Sequence, residues 1–222
     1  MTLAITQQLL PSTQYITAKT KKKQIVLHLT VGSYRPDYVV QGWAADPTRV
    51  GTTYIIGGMA SNGDKAWDGK IIQAVPLECS IYHLGLKGEL SNNGLHDKTS
   101  VGIELCNWGG LAKTASGEFM TYVSRPLPLS QVCDLGRVFR NNRYYHAITD
   151  AQIASLKSLI LHICEQTGIV LPKGKVFDWA DVEYNPQRAM NEVITFHSSY
   201  RSEKSDMPLF PNLAKMLNEL CA

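Results

Sequence analysis

The 222-residue sequence contains no internal repeat, no Cys-x-x-Cys pair and no apolar run long enough to cross a bilayer. The first absence excludes solenoids and propellers, whose stacked units leave a fixed period in the sequence. Five cysteines, Cys79, Cys106, Cys133, Cys164 and Cys221, are odd in number and scattered. They suit neither a disulfide framework nor a cysteine-rich zinc site, and read as isolated buried thiols. A membrane span needs about 20 consecutive apolar residues, so no membrane insertion is expected. The first eleven residues lack the basic start, apolar centre and small-residue cleavage site of a secretory signal, which points to a cytoplasmic product. Excess charge of one sign is also missing. Twenty-two Lys and Arg against 19 Asp and Glu leave a net charge of +3, which does not indicate a nucleic-acid partner.

What is present suits a packed globular domain: 44% of the residues are hydrophobic, ordinary for a chain that buries one core. Residues 1–23 read as a lead segment ending in the basic cluster Lys19, Lys21, Lys22 and Lys23, a solvated approach to a strand. Residues 24–30, Gln-Ile-Val-Leu-His-Leu-Thr, are apolar on both faces, the pattern of a central strand. A short helix is expected over 35–46, stopped by Asp46-Pro47, then two strands over 52–56 and 70–75 that form a hairpin. A Gly- and Asn-rich loop over 85–98 leads to another strand over 100–106. Residues 107–148 are aperiodic and aromatic, an elaborated surface insertion. The clearest helix begins at Thr149, where Thr149 and Gln152 fit a capping box, carries Ile153, Leu156, Leu159, Ile160 and Ile163 as an apolar stripe, and ends at Gly168. A second irregular stretch, 172–191, precedes the apolar run 193–196 and a final amphipathic helix over 212–220. Interleaved strands and helices without repeats indicate a single α/β domain spanning 24–222, with insertions at 107–148 and 172–191.

Chemistry concentrates where the run 193–196 passes into a polar loop carrying His197, Lys204 and Asp206. With His28 from the central strand, two imidazoles and one carboxylate make up the donor set of a catalytic zinc with one position open for water. Such a set suits zinc better than magnesium or calcium, which prefer oxygen shells. Taken singly, each residue also has an ordinary explanation as a core histidine or a loop aspartate. Glu104, in an otherwise apolar strand, reads equally as an edge-strand carboxylate facing solvent or as a functional one.

Three segments, Ile-Val-Leu-His-Leu-Thr, Val-Gly-Ile-Glu-Leu, and Ile-Thr-Phe-His with Lys-Ser-Asp-Met-Pro, resemble in order the motifs of zinc-dependent N-acetylmuramoyl-L-alanine amidases of the type-2 amidase family. That family includes phage endolysins, murein-recycling amidases and peptidoglycan recognition proteins. The resemblance implies a mixed central β-sheet flanked by helices, with one zinc ion at the edge of a peptidoglycan groove. It makes His28, His197 and Asp206 the zinc ligands, Glu104 the general base and Lys204 the group that stabilises the oxyanion. Thr52 or Thr53 takes the place of a tyrosine that other members carry, with Tyr54 beside it. His83, in Tyr-His-Leu-Gly, resembles a Trp-His-x-Gly element; His83 and Tyr54 are therefore expected to contact substrate. His96 and His146 fall in loop-like sequence and are expected at the surface, and His162 near a helix end. Trp108, Tyr122, Tyr144 and Tyr145 suit either a glycan groove or simple packing.

The implied activity is hydrolysis of the bond between N-acetylmuramic acid and L-alanine in peptidoglycan or a muropeptide, by an endolysin-type lytic enzyme. An endolysin without a signal reaches the wall through a partner membrane protein such as a holin. A cytosolic murein-recycling amidase, a non-catalytic peptidoglycan-binding module and a metal-free α/β protein remain as alternatives.

Overall fold

The computed structural model describes residues 3–222. The first strand lies in the lead segment: β1 (Ile5–Gln7) pairs in parallel with β4 (Ile71–Gln73), so residues ahead of the central strand belong to the main sheet. The chain continues through β2 (Gln24–Leu29), helix α1 (Pro36–Ala45), β3 (Tyr54–Ile56) and β4, then through the short helix α2 (Leu95–Thr99) into β5 (Ser100–Leu105). Helix α2 falls within the stretch expected as loop. Proline at the start of α1 supplies the helical φ where no backbone donor is needed. The six strands of the main sheet are ordered β1-β4-β3-β5-β2-β11, where β11 is Ile194–Phe196. All neighbours are parallel except β3 and β4, the expected hairpin pair.

Residues 107–148 differ from expectation in having regular structure. Strands β6 (Gly110–Lys113), β7 (Phe119–Met120), β8 (Pro126–Leu127), β9 (Val132–Phe139) and β10 (Asn142–His146) form a second, antiparallel sheet ordered β8-β7-β6-β10-β9. Its strands are short and half-exposed, so no apolar alternation advertises them. The β9–β10 hairpin closes through Arg140 and Asn141, both left-handed with φ of 46° and 69°, which matches the twist of the flanking strands. Trp108, Leu111, Phe119 and Leu127 form a small core for this sheet, while Phe139 and Tyr145 join the main core.

Helix α3 (Asp150–Thr167) forms as its sequence requires. The Thr149 hydroxyl accepts from the Gln152 backbone N–H, the Gln152 side chain accepts from the Thr149 N–H, and Gly168 ends the helix with φ 73°. Two one-turn helices, α4 (Trp179–Val182) and α5 (Pro186–Ala189), break up the irregular stretch and are capped by the Asp178 and Asn185 side chains. Helix α6 (His197–Tyr200) starts where β11 stops, and α7 (Pro211–Cys221) ends the chain.

Helices α3 and α7 cover one face of the main sheet. Leu156, Leu159, Ile160, Ile163, Leu213, Met216 and Leu217 pack there against Ile25, Leu27, Val101, Ile103 and Phe196. On the opposite face, Val40 of α1 packs with Ile55 and Ile72. Lys22, expected to be solvated, is buried instead: its ammonium donates to the Cys79 and Lys98 carbonyls at 2.6 and 2.8 Å, tying the lead to the loop at Cys79 and to helix α2. Its desolvation lowers the pKa to about 8.

Candidate active site

Side chains alternate between the two faces of a strand. On β2, Ile25, Leu27 and Leu29 enter the main core, which leaves His28 on the other face. On β5, Val101, Ile103 and Leu105 do the same and leave Glu104 there. Parallel pairing of β2 with β5 sets His28 and Glu104 opposite each other near the carboxyl ends of both strands, where ligands bind in open α/β sheets. His197 follows at the carboxyl end of β11, the neighbour of β2 on its other side.

The loop after α6 supplies Lys204 and Asp206. Met207 is left-handed with φ 63°, a costly conformation for a bulky side chain, and is fully buried in the main core while the Asp206 carboxylate faces the histidines. Asp206 Oδ2 lies 2.9 Å from His197 Nδ1 and 3.8 Å from His28 Nδ1. All three residues are buried, and their donor atoms lie within 4.8 Å of one another.

This donor set fits a metal ion. His197 Nε2 is 3.3 Å from the Leu84 carbonyl oxygen, which can only accept, so Nε2 carries the proton. In the neutral ring the Nδ1 lone pair then meets a carboxylate oxygen at 2.9 Å. Two facing acceptors are satisfied by a cation between them. Asp206 Oδ1 is also buried and has no hydrogen-bond partner. Two nitrogens and one oxygen are a zinc ligand set that leaves a coordination position for substrate or water.

The cluster forms the floor of an open cleft of about 420 Å³, which His28, Thr52, His83, Glu104, His197, Lys204 and Asp206 help to line. Burial first, then the neighbouring His197, His83 and Lys204, lower the His28 pKa well below its usual 6.5. Burial raises the Glu104 carboxyl well above the carboxylate range; Asp206 adds to the shift and Lys204 opposes it. Glu104 Oε2 is buried and unpartnered. Lys204 has no ion-pair partner among the described residues, whereas Arg201, also in the cleft, is paired with Glu203.

Tyr54 does not reach this cleft. It is 1% exposed and packs in the main core with Ile56 and Ile103, because it lies on the opposite face of β3 from Ile55, the residue paired with Glu104. Burial raises its phenol to about 12. Thr52, just ahead of the strand, lines the cleft instead. His83 does line it, but both ring nitrogens are engaged inside the protein, with His28 and Ser100. His146 is 2% exposed rather than at the surface, its Nδ1 accepting from the Trp108 N–H. Trp108 and Tyr145 are packed, and Tyr122 is exposed away from the cleft. Trp43 of α1 and Arg201 line the cleft without having stood out as site residues in the sequence, and Tyr82, of the Tyr-His-Leu-Gly element, lines it with His83.

A family model described as N-acetylmuramoyl-L-alanine amidase matches residues 18–207. No curated protein matches the chain. Among solved structures, PlyL shares 13% identity over 91% of this chain and 86% of its own, with a TM-score of 0.50, which supports the fold. AmpDh3 from Pseudomonas aeruginosa is 18% identical over 91% of this chain and 61% of its own, with a TM-score of 0.49. The E. coli amidase AmiD, solved with an anhydro-N-acetylmuramic acid peptide, is 22% identical over 69% of this chain and 47% of its own, with a TM-score of 0.41. A family match spanning most of the chain, together with a mixed sheet that gathers His28, His197, Asp206 and Glu104 at one edge, shows that this protein belongs to the N-acetylmuramoyl-L-alanine amidase family.

Proposed function

We propose that the cleft hydrolyses the amide between N-acetylmuramic acid and the L-alanine of the stem peptide with one zinc ion, and that its substrate is polymeric cell wall, as for an endolysin. The carrying observation is the three-donor group beside an unpartnered, raised-pKa carboxyl and an unpaired lysine. His28 and His197 through Nδ1, and Asp206 through its carboxylate, would hold the zinc. When bound, zinc supplies Lewis acidity to the scissile carbonyl and makes water at the site acidic near neutral pH.

Glu104 accepts a proton from the attacking water and passes it to the leaving nitrogen. A carboxyl that burial holds above its usual range is a stronger base than an exposed one and so suits the proton-accepting step. Lys204 donates to the carbonyl oxygen as negative charge develops there, a task for which an unpaired cation is suited. Thr52, Trp43 and Tyr82 bound the cleft and orient the glycan and peptide on either side of the bond. Val50 and Tyr82 are 46% and 39% exposed, so the rim of the cleft opens to solvent, as a polymeric substrate would need.

The test is digestion of purified sacculi with and without a chelator, followed by mass analysis of the products. Free stem peptides with intact glycan strands, lost on chelation and regained with zinc, are expected. Cleaved sugars or cut peptide cross-links would overturn the bond assignment. Rapid turnover of a soluble muropeptide with sacculi left intact would transfer the role to murein recycling. Full activity in Asp206→Ala would remove the metal reading.

A further inference from the structure

The two histidines of the site depend on one short segment. Ser100 Oγ donates to the His96 carbonyl at 2.6 Å, which uses its only proton. Its oxygen is therefore an acceptor for His83 Nε2–H at 2.8 Å. A neutral His83 then has a lone pair on Nδ1, and that atom is 3.0 Å from His28 Nε2. His28 must donate there, which turns its own Nδ1 lone pair toward Asp206. The next residue acts on the other histidine, because the Leu84 carbonyl accepts from His197 Nε2–H at 3.3 Å.

The segment itself is held from behind. One oxygen of Asp97, a buried residue of α2, accepts the backbone N–H groups of both His83 and Leu84, at 2.7 and 2.9 Å. Gly102 leaves room for the His83 ring: a Cβ at that position would come within 2.9 Å of Thr52 Cγ2 and 3.1 Å of His83 Nδ1. Ser100, His83, His28 and Asp97 are all buried, so water does not compete for these bonds.

We propose that His83 and the Leu84 carbonyl, clamped by Asp97, are positioning groups that fix both histidines as Nε2–H tautomers with Nδ1 presented to the metal position. The assignment rests on the zinc reading only for its consequence, tight binding. Hydrogen-bond partners of metal-binding histidines set ring orientation and basicity, and their loss typically costs about 10–100-fold in metal affinity. His83 is thus engaged with a metal-binding histidine rather than given over to substrate, although it lies in the cleft wall.

The experiment uses the full chain with His83→Leu, His83→Asn, Asp97→Leu and Asp97→Asn. Two quantities are measured: zinc Kd by competition with a chromophoric chelator, and the His28 and His197 tautomers in metal-free protein by long-range nitrogen–proton NMR. His83→Leu should raise the zinc Kd about 10–100-fold and release His28 from the Nε2–H form. Asparagine at 83 restores an acceptor near the Nδ1 position and should recover most of both readouts. Asp97→Leu should loosen both histidines together, while Asp97→Asn, which keeps an accepting oxygen, should not. Thermal unfolding of the metal-free variants identifies any that fail to fold, and the two asparagine variants then decide. An unchanged tautomer and unchanged zinc Kd in a folded His83→Leu protein would overturn the proposal, as would failure of asparagine to rescue. A wild-type protein with both tautomers held but no zinc uptake supports the positioning role and removes the zinc reading instead.

Discussion

Glu104 stands directly across the parallel β2–β5 ladder from His28, on the same face of the sheet. One strand spacing therefore separates the carboxyl that would move the proton from the first imidazole proposed to hold the metal. Both are backed by core residues at the neighbouring positions, Ile103 and Leu105 beside Glu104, Leu27 and Leu29 beside His28, so the pair is held by the sheet itself. The loop 201–206 adds groups that move the carboxyl in opposite directions, Asp206 raising its pKa and Lys204 lowering it.

Replacing Glu104 with glutamine keeps the shape and removes the proton acceptor. Turnover should fall about 10²–10⁴-fold, the usual worth of a positioned acid or base. Zinc content should be unchanged. Measuring both in one preparation separates this role from metal binding, and loss of zinc together with activity would count against it.

Asp206→Ala should abolish zinc binding and activity together, because it removes the oxygen facing the Nδ1 atoms of His28 and His197. Dialysis of the wild-type protein against a chelator should give the same inactive state, and added zinc should restore only the wild type. Metal analysis beside wall-clearing assays provides the check.

Lys204→Met should lower kcat by about 10²–10³-fold with a smaller change in KM, as expected for a donor that acts on the developing oxyanion. A variant that raises KM alone would make Lys204 a substrate-binding group.

His146 gives a pH-dependent term outside the metal site. Burial lowers its pKa from 6.5 to about 4, so the unfolded chain binds the extra proton first as pH falls. Stability is fully present above pH 6.5 and is lost as pH falls from 6.5 to about 4. At about 1.4 kcal/mol for each pH unit, the loss is on the order of 3 kcal/mol. Urea unfolding at several pH values should show this slope in the wild type, and a reduced one in His146→Asn, which keeps an acceptor for the Trp108 N–H.

Thr149→Ala removes the N-cap of α3 and a hydrogen bond to Asp68 at 2.5 Å. A loss of about 0.5–2 kcal/mol in unfolding free energy is expected from the cap. Thr149→Ser keeps both hydroxyl bonds and should recover most of it.

The local patterns were legible wherever a segment's own residues decide its structure. The capping box and Gly168 delimit α3, Pro36 and Asp46 bracket α1, and the doubly apolar run around His28 marks β2 as an interior strand. The His28, His197 and Asp206 set was legible as a candidate, because two apolar strands and a polar loop each carry one side chain able to ligate a metal, and the structure brings the three together. The second sheet was not legible, since strands of two to eight residues with turn-forming neighbours gain their order from pairing with one another. Nor was the burial of Lys22, whose carbonyl partners lie 57 and 76 residues away.

By itself, then, the sequence determined which side chains could hold a metal and where β2, α1 and α3 form, because capping and apolar periodicity act over a few residues. Only the tertiary structure decided where the neighbouring groups went. Tyr54 enters the core because strand alternation turns it away from Glu104, and His83 turns to His28 because Ser100 and Asp97 hold its ring and backbone. Those outcomes depend on register and on hydrogen bonds between distant segments, which no local pattern encodes.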